Sequence, residues 1–326
     1  MVSQMWPSEA DPDFGAFLVP HAGALRDLGH EVDVVAIDRR GGSPLKYAAL
    51  TARAVASARR LRPDVVLGHM LFPAGAAARI AARAVRRPYV VMAHGQDVAN
   101  LARPALLRAT RGVTGHAAAV IANSRWLAAE LEGHLPGTDA HVIDLGVDLA
   151  AFDPASVTAT DWPGGHPRLL CVGSLTARKN VIALADAFEA LGEGSLVFVG
   201  DGELRGALAA RPGVTVTGRV PHDAVPSWMA ACDVLCQPSV AEPFGIAALE
   251  AMALERTVLV SSVGGAAEFV TPEAGVVCDP SALPDGLARA IAMGSPNPAA
   301  RSAAAAHGAS VQAERFAAVL AAACAR

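Results

Sequence analysis

The feature that most narrows the fold is a repeated alternation of two segment types. Short runs rich in Val, Ile and Leu, such as residues 65–67, 89–93, 119–122, 168–172, 196–199, 234–236 and 257–260, alternate with Ala- and Leu-rich stretches of helical spacing. Continuous apolar runs, rather than strict every-other-residue patterns, mark strands buried on both faces. Such strands alternating with helices predict a parallel sheet covered by helices on each side. The pattern runs to about residue 153, breaks at a polar, Gly- and Pro-rich run over 154–167, and restarts at Arg168. A chain of 326 residues is long enough for two such domains with separate cores.

In the first half, the opening Met1-Val2-Ser3-Gln4-Met5-Trp6-Pro7 reads as a short first strand entering a loop that contains Gly15. Helical spacing over 17–28 ends at Gly29-His30, and a strand is expected over 31–37. A basic helix over 47–61, a small-residue helix over 74–85 and a helix over 106–118 follow, with Ser124 as a helix cap. The strand at 89–93 delivers His94-Gly95-Gln96-Asp97 to its carboxyl end, where ligands of open α/β sheets bind.

In the second half, Gly173-Ser174-Leu175-Thr176-Ala177-Arg178-Lys179-Asn180 follows the first strand. A glycine at a strand end followed by adjacent cations suits a diphosphate, because glycine admits the ligand and the cations neutralise it. Lys46 and Lys179 are the only lysines in a chain whose other cations are arginines, so an ammonium at 179 points to a specific demand. Further loops are Gly200-Asp201-Gly202 and Gly218-Arg219-Val220. In Ala241-Glu242-Pro243-Phe244-Gly245-Ile246-Ala247-Ala248-Leu249-Glu250 a carboxylate precedes a Pro-Phe-Gly turn that opens a helix carrying a second carboxylate. The amides of Phe244, Gly245 and Ile246 would form an anion site at its start. Glu242 and Glu250 would be about 12 Å apart along a helix axis, which suits one extended ligand better than a proton relay. An ordinary capped helix with two surface glutamates is the plainer alternative.

Glu-x7-Glu with Phe-Gly-Ile inside it resembles the signature of retaining glycosyltransferases of family 4, which have the GT-B fold. The resemblance implies two doubly wound Rossmann-like α/β domains facing a cleft: an acceptor-side domain over 1–160, a donor domain over 161–308, and a helix over 309–326 that crosses back. It implies that Glu242 contacts the hydroxyls of the donor sugar, that Phe244, Gly245 and Ile246 face sugar and diphosphate, and that Glu250 holds the ribose. His94-Gly95-Gln96-Asp97 is similar to the family's His-Gly-x-Asp, which places His94 beside the transferring sugar and makes Asp97 an organiser of its loop. Gly173, Arg178 and Lys179 take the place of the family's diphosphate loop, with Ser174 standing where that loop has arginine. Arg219 and Val220 match the segment that meets the base. A single Gly15 replaces the usual Gly-Gly pair, and Leu254-Glu255-Arg256-Thr257 replaces Cys-Gly-x-Pro. The implied reaction moves a sugar from a nucleotide sugar to an acceptor hydroxyl with retention, without a metal or other cofactor; no Asp-x-Asp pair is placed to bind one. A nucleotide-sugar epimerase would share the donor half only, and a non-catalytic carbohydrate-binding or partner protein on a decayed scaffold is the alternative reading.

Composition closes off other classes. No run approaches the length of a membrane span, and the first twenty residues, with Glu9, Asp11 and Asp13, do not read as a signal peptide, so a cytoplasmic protein is expected. Five scattered cysteines suggest neither a disulfide framework nor a zinc site. The net charge of -4 hides eleven arginines against Asp64 and Asp97 between Arg53 and Arg111. That surplus suits a solvated helical face, an anionic acceptor, or peripheral contact with an anionic inner membrane face. The acceptor class, whether glycan, lipid-linked or small molecule, is open, and no nucleic-acid partner is expected.

Overall fold

The computed structural model describes residues 1–325 and contains two compact units. The first comprises Met1–Gly146 together with the chain from Ala309 onward, and the second comprises Val147–Gly308. Each is built on a six-stranded sheet whose neighbouring strands are all parallel.

The first sheet holds β1 (Val2–Ser3), β2 (Val35–Ala36), β3 (Val66–His69), β4 (Tyr89–Ala93), β5 (Ala119–Ala122) and β6 (Ala140–Val142), in the order β2-β1-β3-β4-β5-β6. β1 is as short as its sequence suggests, yet it sits inside the sheet, with Val2 opposite both Val35 and Gly68. Its brevity also limits β2. The strand expected over 31–37 shrinks to two residues because a ladder extends only as far as its partner. The small-residue helix Ala74–Val85 buries Ala74, Ala77, Ala78, Ala81 and Ala82, a stripe at helical spacing. The helix expected over 106–118 instead occupies Pro104–Thr114, because proline at the first helical position surrenders an N–H that has no partner there. Ser124 caps the helix Arg125–His134 as expected, accepting the Leu127 amide at 3.0 Å.

The second sheet holds β7 (Arg168–Val172), β8 (Ser195–Val199), β9 (Val214–Gly218), β10 (Val234–Gln237), β11 (Thr257–Ser261) and β12 (Gly275–Cys278), in the order β12-β11-β10-β7-β8-β9. The chain therefore builds outward from β7 to β9 and returns to lay β10 on the other side of β7. The loops leaving β7 and β10 emerge side by side at this reversal, the place where such sheets hold ligands.

The division at Gly146 and Val147 lies ahead of the boundary that composition suggests near residue 160. The Gly- and Pro-rich run and the residues just before it belong to the second unit and are held there by specific contacts. Arg301 donates to the Phe152 carbonyl at 3.1 Å and pairs with Asp153 at 3.3 Å. The Trp162 indole N–H donates to Ser195 Oγ at 2.7 Å while its ring meets Trp228 edge-on. The final helix, Ala309–Cys324, packs Phe316 into the core of the first unit.

At the head of the second sheet, a Cβ on Gly200 would lie 1.9 Å from the Gly173 carbonyl oxygen, and Gly200 has φ +146°. Only glycine lets the loops after β7 and β8 come this close. Gly200→Ala is therefore expected to destabilise the protein by at least about 1–3 kcal/mol through overpacking, read as a fall in the denaturation midpoint.

Candidate active site

In the second unit, a single carboxylate gathers the residues at the sheet reversal. Lys179 lies at the end of the loop after β7, in the short 3-10 turn Ala177–Lys179. Glu242 lies in the loop after β10. Lys179 Nζ donates to Glu242 Oε2 at 2.5 Å, and the two side chains are only 13% and 10% exposed. Gln237 Nε2, at 3.0 Å, and Ser239 Oγ, at 2.9 Å, donate to the same oxygen. Burial raises the pKa of this carboxyl, but Lys179, aided by Arg178 and Ser239, outweighs it, and the net position is below the ordinary value. Glu242 is thus held ionised, with Oε2 engaged by three donors and Oε1 outside that network. Gly173 lies beside Lys179, where a Cβ would make ordinary contact with Cε at 3.7 Å. Arg178 is exposed and donates to the Ala241 carbonyl at 2.9 Å, tying the two loops together from outside.

The Pro-Phe-Gly turn then opens the helix Ile246–Ala253. Gly245 has φ +95°, and a Cβ there would fall 2.7 Å from Ala266 Cβ, so both conformation and space require glycine. Phe244 is buried against Phe269, with ring centroids 5.3 Å apart. The amides of Phe244, Gly245 and Ile246 find no acceptor among the described residues, as expected at a helix start, and they carry the positive end of the helix dipole. Glu250 lies on the same helix. Its carboxyl is buried without a charged partner, and desolvation pushes its pKa up to about 8. The alternative of two surface glutamates is overturned, since Glu242 and Glu250 are both more than nine-tenths buried. Arg219, which is exposed, and Val220 follow β9 at the sheet edge, two strands from β7 and apart from the Lys179–Glu242 group.

In the first unit, Asp97 organises the loop after β4. Its Oδ1 accepts the amides of His94 at 3.0 Å, Gly95 at 2.9 Å and Val98 at 3.2 Å, and its Oδ2 accepts the Leu71 amide at 2.8 Å from the loop after β3. His94 Nε2 lies 3.1 Å from His69 Nδ1, and the Phe17 ring packs on His94 at 5.4 Å. Burial lowers the His94 pKa to about 3, so the ring is neutral at ordinary pH. Gly15 has φ +77°, and a Cβ there would strike Met5 at 2.8 Å, so its place in the loop after β1 has a packing reason. That loop is fastened by Arg40, which pairs with Asp11 at 2.9 Å and Asp13 at 2.8 Å and lies over the Phe14 ring.

Sequence reasoning missed Gln237, Ser239 and His69. A polar residue closing an otherwise apolar strand was the available signal for Gln237 and His69, because a side chain there points into the loops that hold ligands.

Two family models cover most of this chain: one described as Glycosyltransferase Family 4 matches residues 17–151, and one described as Glycosyl transferases group 1 matches residues 166–293. The chain belongs to glycosyltransferase family 4. This family 4 chain is 32% identical over 217 residues to TuaC of Bacillus subtilis, a protein assigned to teichuronic acid biosynthesis, covering 64% of this chain and 55% of that one. It is 31% identical over 166 residues to a GDP-mannose-dependent phosphatidylinositol dimannoside mannosyltransferase of Mycobacterium tuberculosis, covering 47% and 43%. The matched part thus spans about half the length of these relatives. Among solved structures, Anabaena HepE in complex with UDP and glucose superposes with a TM-score of 0.72 at 20% identity, covering 98% of this chain and 99% of that one. Sucrose-phosphate synthase from Thermosynechococcus elongatus gives 0.78 at 18% identity, covering 93% and 91%. The family 4 chain has the GT-B fold.

Two outcomes follow from the charges. Lys179→Met strands the Glu242 carboxylate and should cost about 3–5 kcal/mol, whereas adding Glu242→Gln should recover most of it, as read from denaturant melts. Because the folded Glu242 pKa lies below its ordinary 4.5, the pair's contribution is complete above that value and lost as pH falls through the lowered one. Glu250 has the opposite sign. Its folded pKa of about 8 lies above 4.5, so stability should fall as pH rises between these values, and Glu250→Gln should flatten that decline in melts taken across pH 5–8.5.

Proposed function

We propose that the protein transfers a sugar from a nucleoside-diphosphate sugar to an acceptor hydroxyl, with retention of configuration and without a metal. The observation that carries this reading is the Lys179–Glu242 pair set against the free amides of Phe244, Gly245 and Ile246 at the reversal of the second sheet. A buried, ionised carboxylate with one oxygen outside its own network suits acceptance of hydrogen bonds from sugar hydroxyls. Lys179, Arg178 and the three amides supply the positive field that a departing diphosphate needs, the role a cation would otherwise fill. A carboxylate held below its ordinary pKa by Lys179 is a weak base, so the departing diphosphate itself takes the acceptor's proton in a front-face substitution. Glu250, on the same helix, receives the ribose hydroxyls, while Arg219 and Val220 meet the base. In the first unit, His94 addresses the sugar and Asp97 holds its loop. The family membership, a relative named for GDP-mannose and a structural neighbour solved with UDP support a nucleotide-sugar donor and leave UDP and GDP as the donors to compare.

Ser174, exposed where the family carries arginine, favours the second reading of a non-catalytic carbohydrate-binding or partner protein. Thermal stabilisation by UDP, GDP, ADP and their sugars tests the donor site. One nucleotide should raise the melting temperature, Lys179→Ala should abolish the shift, and Glu242→Ala should remove turnover of the donor sugar. No shift with any member would overturn the donor site.

The acceptor side carries a further proposal. The helices Leu45–Leu61 and Ala74–Val85 pack together, and exposed Arg53, Arg59, Arg60 and Arg83 accompany exposed Leu45 and Ile80. Among the described residues no helix is long and apolar enough to cross a membrane. Cations interspersed with apolar side chains suit peripheral contact with an anionic inner membrane face, and with it a cytoplasmic setting. Co-sedimentation with vesicles containing phosphatidylglycerol should exceed that with neutral vesicles and should fall as salt rises. Indifference to lipid charge would remove this contact.

A further inference from the structure

Glu242 and Glu250 belong to one site of the second unit but have opposite surroundings. Three donors meet Glu242 at Oε2. No donor or charged group among the described residues serves the Glu250 carboxyl, although the residue is only 8% exposed. The rest of its helix is apolar, with Ala247, Ala248, Leu249, Ala251, Met252 and Ala253 all buried. The elements packed on this helix are β10, β11, the helices Val225–Ala231 and Pro298–Ala305 and the 3-10 turn Gly265–Glu268. β11 and Val225–Ala231 carry no ionisable group, and β10 carries only the Cys236 thiol, which burial keeps neutral. Arg301 of Pro298–Ala305 is committed to the Ala253 and Phe152 carbonyls and to Asp153. Arg256, beyond the helix end, donates to the Leu254 carbonyl at 2.9 Å, and Lys179 is held by Glu242. Glu255 and Glu268 are like charges, which favour a neutral neighbour. A carboxylate removed from water without a compensating partner gives up its charge. Glu250 is thus a neutral acid in the free protein at pH 7, in line with a pKa pushed up to about 8 by desolvation.

The carboxyl is buried but not sealed. Its oxygens are not among the enclosed, unpartnered polar atoms of the unit, such as Gln237 Oε1. Between residues 242 and 254 only Pro243 and Ile246 are half-buried, and Ile246 lies four positions before Glu250 on the same helix face. The open side of the turn therefore runs from the free amides of Phe244, Gly245 and Ile246 to Glu250, which lies about 6 Å beyond Ile246 along the axis.

We propose that donor binding is coupled to proton release at this site: Glu250 is a neutral acid in the free protein, and the ribose diol of the nucleotide ionises it by donating both hydroxyls to the carboxylate, sending one proton to solvent. A carboxylate accepts from both hydroxyls of a vicinal diol, and such charge-assisted bonds favour the ionised form, whereas the neutral acid must use one oxygen as a donor. The free protein then binds one proton more than the complex, so donor affinity rises with pH, about tenfold per unit, until the free carboxyl ionises by itself. The protein would accordingly release its donor as the surroundings turn acid. This assignment rests on the sugar-transfer reading, since a nucleotide is what supplies the diol.

The test is titration calorimetry with UDP-glucose and GDP-mannose, whose diphosphate diesters have no proton to exchange near neutrality, in buffers of different ionisation enthalpy. At pH 7 the dependence of the measured enthalpy on the buffer should show nearly one proton released per site, and Kd should fall about tenfold from pH 6 to pH 7. Glu250→Gln should abolish both the release and the pH dependence. Infrared spectra of the free protein at pH 7 should show the C=O stretch of a protonated carboxyl that is absent from Glu250→Gln and disappears when donor is added. Donor binding without proton release, or a free Glu250 that is ionised at pH 7, overturns the proposal and leaves the sugar-transfer reading standing. Failure of every nucleotide sugar to bind overturns that reading, and this proposal with it. Should Glu250→Gln fail to fold, the wild-type release followed upward in pH decides. It should fade as the pH passes about 8, and a release that stays constant through that range overturns the proposal.

Discussion

The second unit is organised around one buried ion pair. Lys179 and Glu242 come from loops that are 63 residues apart in sequence and adjacent only because β10 returns beside β7. Removing two charges from water is costly, and their mutual attraction offsets that cost only when the geometry is close and the remaining hydrogen-bonding capacity is met. Gln237 and Ser239 meet it at Oε2, and the backbone around them is held to the same tolerance by Gly245 against Ala266 and Gly200 against Gly173. A positively charged loop, a carboxylate and a helix start are thus fixed relative to one another by an ion pair, hydrogen bonds and close packing.

Three buried carboxylates show how environment, not residue type, decides chemical character. Glu242 is held ionised by an adjacent ammonium. Glu250, on the helix that the same loop opens, has no charged partner and is pushed toward its neutral form by desolvation. Asp97 accepts four backbone amides, of which those of Leu71, His94 and Gly95 lower its pKa against a larger desolvation effect that leaves it raised. The first suits recognition of hydroxyls by a fixed charge, the second can respond to a partner that donates to it, and the third is a structural brace between the loops after β3 and β4.

The departures from the family pattern have local physical accounts. Arg178 reaches across to the Ala241 carbonyl, so a guanidinium stands on the rim of the same loop that has Ser174 in place of arginine. The loop after β1 lacks a glycine pair, and Arg40 fastens it instead through Asp11, Asp13 and the face of Phe14. In both loops an arginine contact lies where the sequence departs from the family pattern, in a chain whose cations are almost all arginine.

By itself the sequence determined the fold class and where ligand-facing loops leave the sheets, because apolar runs and helical spacing are local properties of the chain. It also determined which residue types the loops carry: Lys179, Glu242 and the Phe-Gly-Ile turn were legible from spacing, and His94 with Asp97 from their place after a strand. Only the tertiary structure decided which of these meet. That Lys179 pairs with Glu242, that Gln237 and Ser239 complete the pair, that Asp97 reaches the Leu71 amide, and that His69 abuts His94 all depend on strand order. The extent of β2 and the docking of the Gly- and Pro-rich run on the second unit were likewise beyond the sequence pattern. Both turn on contacts between residues far apart in the chain, and local periodicity carries no record of a distant partner.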